Sequence, residues 1–386
     1  MCMNLFKTSK KQEEVVAFFD IGSGSVGGSI ILASNKSAPT VLSSIRQNLK
    51  IKEDLKGETA LKEMLSALKE VANYIQKDSK MVPDKVYAIL SSPWSFASLK
   101  NIKRTSTTNF KVTEKFVNDL IQDEIENKKK TNSALDVLID KRLVDIKVNG
   151  YEIENPFGKQ VRELSINLFI SMSSTYIINA IEDTIMSTYH KNIKFTSQMF
   201  SDFMVVRDIF DNLNDFIILN IDEEFTEVSI MQNDNLIHSS SFPYGKNTLI
   251  RKIAKNIGKN TIEAKSLIFA YYNSHLTDKQ VNSLSSAIKS ANMEWINSLK
   301  RIFTGVLTDM VLPEYIFMVT DDSSKEWFAN LTSMGNFSEF TTTKNDFNVI
   351  IGDSKILKDF CSFALNVLPD DNLTMQAIFI NKINFL

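Results

Sequence analysis

The sequence of 386 residues contains few of the residues that build metal centres and disulfide frameworks. Two cysteines, Cys2 and Cys361, cannot form a disulfide framework, and this fits a reducing cytoplasm. The histidines His190, His238 and His275 lie far apart without a frame of cysteines or carboxylates, so we expect ordinary core or surface roles for them rather than metal ligation. Glycine is also scarce, since twelve is a small number for an enzyme with glycine-rich phosphate loops.

Long apolar stretches and a strong charge imbalance are missing as well. No run of 18 apolar residues occurs, so nothing in the sequence is expected to span a membrane. Residues 1–14 lack the long apolar core of a secretory signal. The 44 basic and 46 acidic residues nearly balance, which argues against a general nucleic-acid binder. The 43% of hydrophobic residues suffices for real cores, and the length indicates two domains or one bilobed unit.

The stretch around which the chain is organised is residues 15–32, which reads as two apolar strands joined by a turn rich in glycine and serine. Asp20 closes the first strand, and the turn contains Ser23 and Ser25. Because glycine has no side chain, such a turn lets backbone N–H groups approach a phosphate. Asp20 is placed to hold a hydrated Mg²⁺, and the serine hydroxyls are placed to donate to phosphate oxygens. The alternative is an ordinary β-hairpin whose glycines serve only the geometry of the turn.

One supersecondary plan occurs twice along the chain. Residues 15–48 predict three successive strands, and apolar residues at helical spacing predict a helix over residues 59–77. Residues 215–242 repeat the three strands, and residues 246–257 repeat the helix. Duplicated halves that face each other commonly form a cleft at their interface. We therefore expect two similar lobes with a cleft between them.

The remaining segments differ in character. Residues from 83 to about 165 form such a segment: residues 94–110 are dense in Ser, Thr and Lys, and a helix is predicted to begin at the N-cap Thr113. Toward the end of the chain, helices are predicted over residues 356–367 and 373–383. Residues 1–14 are expected to be a flexible tail, and the alternative is a weak contact of their apolar and basic residues with an anionic membrane.

Four short motifs follow one another in an order and spacing that resemble the family of the cell-division protein FtsA, a branch of the actin-like ATPase superfamily. The pilus-assembly protein PilM is a near relative, and the resemblance covers about residues 15–386. In chain order, the motifs are Phe19-Asp20-Ile21-Gly22-Ser23-Gly24-Ser25, Leu143-Val144-Asp145 with Asn155-Pro156-Phe157-Gly158, Asn220-Ile221-Asp222, and Phe242-Pro243-Tyr244-Gly245.

The resemblance implies an α/β, bilobed actin/Hsp70-like fold with two duplicated βββαβα lobes. It implies a first lobe over residues 15–210, into which an FtsA-type small subdomain at residues 83–165 is inserted as a surface for partners and self-assembly. The second lobe spans residues 211–386 and carries a reduced small subdomain. Asp20 is implied as the Mg²⁺ ligand, and the implied nucleotide-binding residues are Asp20, Gly22, Ser23, Gly24, Ser25 and Gly245.

The chain departs from the family in the second phosphate loop. Asn220 stands where the family has a Mg²⁺-ligating aspartate, and Asp222, Glu223 and Glu224 stand where it has small glycines. Both charge and side-chain bulk oppose phosphate binding at these positions. Three interpretations remain open: a solvated turn in a lobe that no longer binds nucleotide, a site for a cation or another ligand, and a nucleotide bound in a shifted pose.

Other nucleotide positions depart too. The adenine loop, Thr-Gly-Gly in the family, is Thr320-Asp321-Asp322 here. Lys265 and Ile268 stand where the family's ribose-contacting glutamate and lysine belong. Ser25 replaces the phosphate-binding lysine of FtsA, and Gln198 replaces a glutamate.

The sequence therefore predicts an FtsA-like cytoplasmic assembly or adaptor protein of cell division, with weak or absent ATPase activity. Its expected partners are other division or envelope-assembly proteins, bound through the inserted subdomain, and further copies of itself in filaments, but not nucleic acid. One alternative is an active actin-like ATPase that polymerises, uses ATP and Mg²⁺ as cofactors and positions water with Gln198. Another is a PilM-like pilus or secretion adaptor that binds a short peptide in the cleft beside the inserted subdomain. Membrane contact is expected to be at most peripheral, at the inner membrane, since residues 373–383 are expected to be the last helix of the fold rather than an anchor.

Overall fold

The computed structural model describes residues 12–51, 57–210, 212–306, 311–321, 323–341 and 343–385. Most of the predicted N-terminal tail, and Asp322 of the predicted adenine loop, lie outside the described residues. Within them, the strands in chain order are β1 (Glu13–Ile21), β2 (Ser25–Ser34), β3 (Thr40–Asn48), β4 (Lys85–Leu90), β5 (Phe96–Lys111), β6 (Val137–Val148), β7 (Tyr151–Glu152), β8 (Gln160–Ser173), β9 (Ile193–Ser197), β10 (Phe216–Ile221), β11 (Thr226–Gln232), β12 (Asn235–Phe242), β13 (Tyr315–Val319), β14 (Asn348–Ile351) and β15 (Ser362–Phe363).

The α-helices connect and cover these strands. In chain order, those within the described residues are α1 (Gly57–Ser79), α2 (Glu114–Thr131), α3 (Thr175–Tyr189), α4 (Gln198–Ile209), α5 (Lys246–Ile257), α6 (Thr261–Tyr272), α7 (Asp278–Val306), α8 (Lys325–Met334), α9 (Ser354–Leu357) and α10 (Asp371–Asn384). No helix within the described ranges combines the length and the hydropathy that a membrane crossing requires.

The first sheet has the strand order β15-β3-β2-β1-β4-β9. β1, β2 and β3 are antiparallel neighbours, whereas β4 and β9 extend the sheet in parallel on the other side of β1. The register places Asp20 opposite Gly27, and Gly27 opposite Arg46. Because paired residues point to the same face of a sheet, an acid and a base lie on one face with only a glycine between them.

The second sheet, of order β12-β11-β10-β13-β14, repeats this plan. β10, β11 and β12 are antiparallel, and β13 and β14 continue in parallel beyond β10. Trp295 of α7 lies fully buried in the core of this half, together with Leu219 and Leu249. We call the first sheet with α1, α3, α4 and α10 the first lobe, and the second sheet with α5 to α8 the second lobe. The prediction of a bilobed α/β chain is confirmed.

A third sheet, of order β5-β8-β6-β7, is formed by the part of the chain between β4 and α3. α2 covers one of its faces, where Val117, Ile121 and Ile125 pack in a buried cluster with residues of β8. The predicted helix start is confirmed, because the Thr113 hydroxyl accepts a hydrogen bond from the Phe116 N–H at 3.1 Å.

We call residues 96–173 the inserted unit, since β5 begins at Phe96 and β8 ends at Ser173. The predicted range of 83–165 differs from this at both ends. β4 belongs to the first sheet, because it pairs in parallel with β1, and β8 continues beyond residue 165 alongside β5. That this unit is of the FtsA type stays a prediction.

The end of the chain returns to the first lobe. The predicted helix over residues 356–367 is wrong, because α9 has only four residues and Asn366 adopts a left-handed backbone conformation with φ of +70°. β15 then pairs in parallel with the start of β3. α10 packs in a buried cluster with Phe18 and Ile31 of the first sheet. The predicted second lobe of residues 211–386 therefore includes a segment that completes the first lobe.

Candidate functional site

The turn between β1 and β2, residues 22–24, faces the turn between β10 and β11 across the gap between the lobes. We call residues 22–24 the first loop and residues 222–225, which join β10 to β11, the second loop. The Ser23 N–H and hydroxyl donate to Oδ2 of Asp222 at 2.7 and 2.9 Å, and the Ser91 hydroxyl donates to the same oxygen at 3.3 Å. The donors that were predicted to bind phosphate therefore bind a carboxylate of the second lobe.

Charge is arranged unevenly between the two neighbouring acids of the second loop. Burial raises the pKa of Asp222, but hydrogen bonds from Glu223 and Ser23 outweigh it and hold this pKa below its ordinary value. Burial and the Asp222 charge both raise the pKa of Glu223 well above its ordinary value. The environment therefore favours the negative charge on Asp222 and the proton on Glu223.

Two glycines allow the loops to approach closely. A Cβ atom added at Gly24 would lie 2.4 Å from the Cβ of Glu223, and one added at Gly245 would lie 2.4 Å from the carbonyl oxygen of Asp222. The Glu224 N–H also donates to the Ser23 hydroxyl at 2.9 Å. The two loops and the start of α5 are therefore in direct contact, and no larger residue fits at either glycine without displacement.

Arg46 supplies the positive charge beside the first loop. Its guanidinium donates to Asp20 at 2.7 Å, to Asp370 at 2.7 Å and to the Ser25 hydroxyl at 3.0 Å. Gly27 leaves room for this side chain, because a Cβ there would lie 3.0 Å from the guanidinium. Burial raises the pKa of Asp370, but the adjacent Arg46 outweighs it and lowers this pKa. Burial raises the pKa of Asp20, and in this case Arg46 opposes the rise without reversing it.

Basic residues of α5 lie against the second loop. Lys246, its first residue, lies 3.8 Å from Glu223 and forms an ion pair with Asp321, while Arg251 forms an ion pair with Glu224. Glu223 and Glu224 are only 8% and 6% exposed. The interpretation of this acidic cluster as a solvated turn is therefore wrong, because both glutamates are buried and Glu224 is paired with Arg251.

A second polar cluster lies beneath the loops around Gln198. This side chain is only 3% exposed. Its amide nitrogen donates a hydrogen bond to Asp202 at 2.7 Å, and its amide oxygen accepts one from Gln376 at 2.5 Å. Asn220 donates to the other oxygen of Asp202 at 2.6 Å. Burial raises the pKa of Asp202 far above its ordinary value, since these hydrogen bonds oppose the rise only in part. Both ends of the amide that was predicted to position water are bonded within the protein.

The cleft retains a polar cavity of about 320 Å³, which Gly24, Ser25, Arg46 and Lys265 help to line. A neighbouring cavity of about 350 Å³ is lined in part by Ile268. The residues predicted to stand at the ribose positions therefore do face open space near the cleft.

As arranged here, these residues do not fit a magnesium nucleotide. The donors of the first loop are bonded to Asp222, the predicted metal ligand Asp20 is paired with Arg46, and side-chain atoms of Glu223 fill the space next to Gly24. What the arrangement does accomplish is to join the two lobes by hydrogen bonds and ion pairs.

The structure brings together most of the predicted site residues and adds others. Around the loops lie the predicted Asp20, Gly22, Ser23, Gly24, Ser25 and Gly245, and Gln198 lies beneath them. Sequence reasoning missed Arg46, Lys246 and Asp370. The signal for Arg46 was the strand register, because three antiparallel strands with a glycine in the middle place it beside Asp20.

Comparisons with known proteins bear on the fold. No family model matches the chain, and no curated protein matches it in sequence. A solved structure of the PilM–PilN type IV pilus biogenesis complex is similar, with a TM-score of 0.65 and 12% identity over 96% of this chain and 98% of that chain. Two further structures are similar with TM-scores below 0.5. One is the ethanolamine utilization protein EutJ from Carboxydothermus hydrogenoformans, with a TM-score of 0.45 and 8% identity over 97% of this chain and 90% of that chain. The other is a Bacteroides thetaiotaomicron protein with an actin-like ATPase fold, with a TM-score of 0.42 and 10% identity over 95% of this chain and 96% of that chain. The similarity to the PilM–PilN structure shows the fold, which is the actin-like fold that the sequence predicted.

Proposed function

We propose that this protein is an actin-fold adaptor that works by binding other proteins and not by turning over ATP. The observation that carries this proposal is the Asp222 carboxylate, which occupies the hydrogen-bond donors of the first loop. A triphosphate that took its place would have to break these bonds and then lie beside the same negative charge. Each pair of like charges at 4 Å costs roughly 1–4 kcal/mol, depending on the local dielectric.

The inserted unit is the surface that we assign to partners. α2 covers one face of its sheet, and the edge strand β7 carries the exposed side chain of Tyr151, with Phe157 exposed nearby in the chain. Exposed aromatic residues are common anchors of protein interfaces. The similar PilM structure was solved as a complex with PilN, which supports partner binding as the function to test.

Two identities for this adaptor follow from the sequence. In the FtsA-like role, the partners are cell-division proteins and further copies of the chain. In the PilM-like role, the partner is a short extended peptide of a pilus or secretion machine. Binding of a single extended peptide without nucleotide, and without filaments, favours the second role.

Titration calorimetry with ATP and Mg²⁺ tests the central claim. We expect no binding by the wild type up to millimolar ATP, and measurable binding by Asp222→Ala, because this change frees the Ser23 donors. Micromolar binding by the wild type that is lost in Asp20→Ala would overturn the proposal and favour the polymerising ATPase instead. One observation favours that second candidate: Arg46 places a positive charge beside Ser25, where FtsA has its phosphate-binding lysine.

A photo-cross-linker tests the assignment of the partner surface. The cross-linking residue replaces Tyr151 in one variant and Tyr74, an exposed tyrosine of α1, in the control. We expect specific cross-linked products from the Tyr151 variant in cells and fewer from the control. Equal products from both positions would contradict the assignment.

A further inference from the structure

The connection from the first lobe to the inserted unit passes directly through the cleft. Residues 91–95 join β4 to β5, and we call them the connecting segment. The Trp94 indole N–H donates to the carbonyl oxygen of Gly22 in the first loop at 2.7 Å. The Ser173 hydroxyl, at the end of the inserted unit, donates to the carbonyl oxygen of Trp94 at 2.6 Å. The connecting segment is therefore bonded to both the first loop and the base of the inserted unit.

Glu227 of β11 holds this segment from the second lobe. Its Oε1 accepts hydrogen bonds from the Ser92 N–H at 2.8 Å and from the Ser92 hydroxyl at 2.7 Å. Its other oxygen, Oε2, is buried and has no hydrogen-bond partner among the described residues. The side chain thus spans the seam between the lobes with one oxygen satisfied and the other neither solvated nor paired.

Three acidic groups from different elements interact electrostatically with Glu227. Asp20 lies one residue before the end of β1, Asp202 belongs to α4, and Asp222 belongs to the second loop. In its own sheet, Glu227 is paired with Asn220 of β10 and Ser241 of β12. The cation of this region, Arg46, is bonded to Asp20 and Asp370.

This environment favours the protonated form of Glu227. Burial raises its pKa, the two Ser92 bonds lower it, and the charges of Asp222 and Asp20 raise it again, with a result of about 7. Ionisation strengthens the bonds from Ser92, but it also places charge on an oxygen that has no donor, within reach of the charges of Asp222 and Asp20. Solvation of that oxygen would relieve this cost.

We propose that Glu227 is a proton-operated contact that couples the cleft to the inserted unit. With its proton bound, Glu227 keeps the seam between the lobes closed beside the connecting segment. When the proton leaves, Glu227 holds Ser92 more strongly while water enters at the unpaired oxygen, so the seam opens there and the connecting segment and the inserted unit change their position together. That this movement matters for partner binding rests on the proposed function; the movement itself does not.

Fluorine NMR of protein labelled with 5-fluorotryptophan tests this coupling. The chain contains three tryptophans, and the resonance of Trp94 is assigned with Trp94→Phe. The wild type and Glu227→Gln are compared between pH of about 5.5 and about 8.5, a range centred on the pH at which Glu227 is expected to titrate. We expect the Trp94 resonance of the wild type to shift with a midpoint near pH 7 and that of Glu227→Gln to stay fixed. The resonance of Trp327, buried in the second lobe, reports whether each variant is folded.

Two further variants keep the test decisive. Glu223→Gln removes another buried carboxyl group of the seam, one without a bond to Ser92, and should leave the titration in place. Ser92→Ala removes a hydroxyl donor that lowers the pKa of Glu227, so it should move the midpoint of the Trp94 titration to higher pH. This variant also replaces Glu227→Gln in the test if the Glu227→Gln protein does not fold.

The outcomes separate this inference from the proposed function. A Trp94 titration that persists in Glu227→Gln, a wild-type resonance that does not titrate, or an unchanged midpoint in Ser92→Ala overturns the coupling. None of these measurements uses ATP or a partner. If the coupling fails while ATP binding is absent and partner cross-linking succeeds, the coupling is refuted and the proposed function stands.

Discussion

Replacing Arg46 with methionine is expected to lower the free energy of unfolding by roughly 3–5 kcal/mol, because removal of one partner from a buried ion pair leaves a buried charge without compensation. The side chains of Arg46, Asp20 and Asp370 are only 17%, 7% and 25% exposed. Methionine retains most of the length and packing of the arginine stem, so the loss is electrostatic in origin. Asp20, as the more buried of the two acids, is expected to account for most of it.

The loss converts into a shift of the melting temperature. Unfolding entropy is about 2.1 cal/mol/K per residue, so a 386-residue chain that unfolds as one unit should melt roughly 4–6 °C lower. Differential scanning calorimetry measures this directly. Lys259→Met is the matched control, because Lys259 and Glu263 are about half exposed and such surface pairs contribute roughly 0–1 kcal/mol.

A double-mutant cycle with Asp20→Asn isolates the electrostatic part. If Arg46 acts by compensating Asp20, the double variant should be more stable than the sum of the two single losses predicts, by roughly 0.5–3 kcal/mol. The reasoning is refuted if Arg46→Met melts within about 1 °C of Lys259→Met, a difference below the shift derived above. Strictly additive losses in the cycle would refute it as well.

Three further predictions concern the loops, the seam and the inserted unit. Gly24→Ala should separate the two loops, because the new methyl group would clash with the side chain of Glu223. The expected result is faster amide hydrogen exchange in both loops, and unchanged exchange in the second loop would contradict it. Glu227 contributes stability below pH 4.5 that is lost as the pH rises to about 7, so over this range the free energy of unfolding of the wild type should fall by roughly 3 kcal/mol relative to that of Glu227→Gln. Melting curves of both proteins at several pH values check this. A difference in stability between them that does not change with pH would contradict it. Thr113→Ala removes the hydroxyl that accepts a hydrogen bond from the Phe116 N–H and should lower the stability of the helix by roughly 0.5–2 kcal/mol. The expected result is faster hydrogen exchange confined to the start of α2. Equal protection in the wild type and the variant would exclude a role for this cap.

Local patterns in the sequence were sufficient for the elements of the two lobes. The helix predicted over residues 246–257 begins and ends at those residues, and the hairpin that ends β1 at the first loop is present. Periodicity succeeds here because each element buries one face against a neighbouring sheet. Residues 356–367 misled the same reasoning, since their apolar residues match a helix while the chain instead turns at Asn366 and adds β15 to the first sheet.

The chemistry of the site depended on contacts that lie far apart in the sequence. The pairing of Asp20 with Arg46 was within reach, because it follows from the register of β1, β2 and β3. The bonds of Ser23 with Asp222 and of Ser92 with Glu227 were not, because they depend on how closely the two lobes approach each other. The sequence showed that the acids of the second loop are unsuited to binding phosphate. It did not show their hydrogen-bond and ion-pair partners, because these belong to other elements.

The return of β15 and α10 to the first lobe has a consequence for the newly made chain on the ribosome. Phe18 and Ile31 of the first sheet are buried in one cluster with Phe379 and Ile380 of α10, which is synthesised only after the entire second lobe. During translation, this apolar face of the first lobe therefore stays exposed until α10 has been synthesised, and such exposure favours aggregation and chaperone binding. The two lobes look like a tandem duplication, yet they are not separable folding units, and an expression fragment ending at residue 210 should be insoluble unless residues 354–385 are fused back to it.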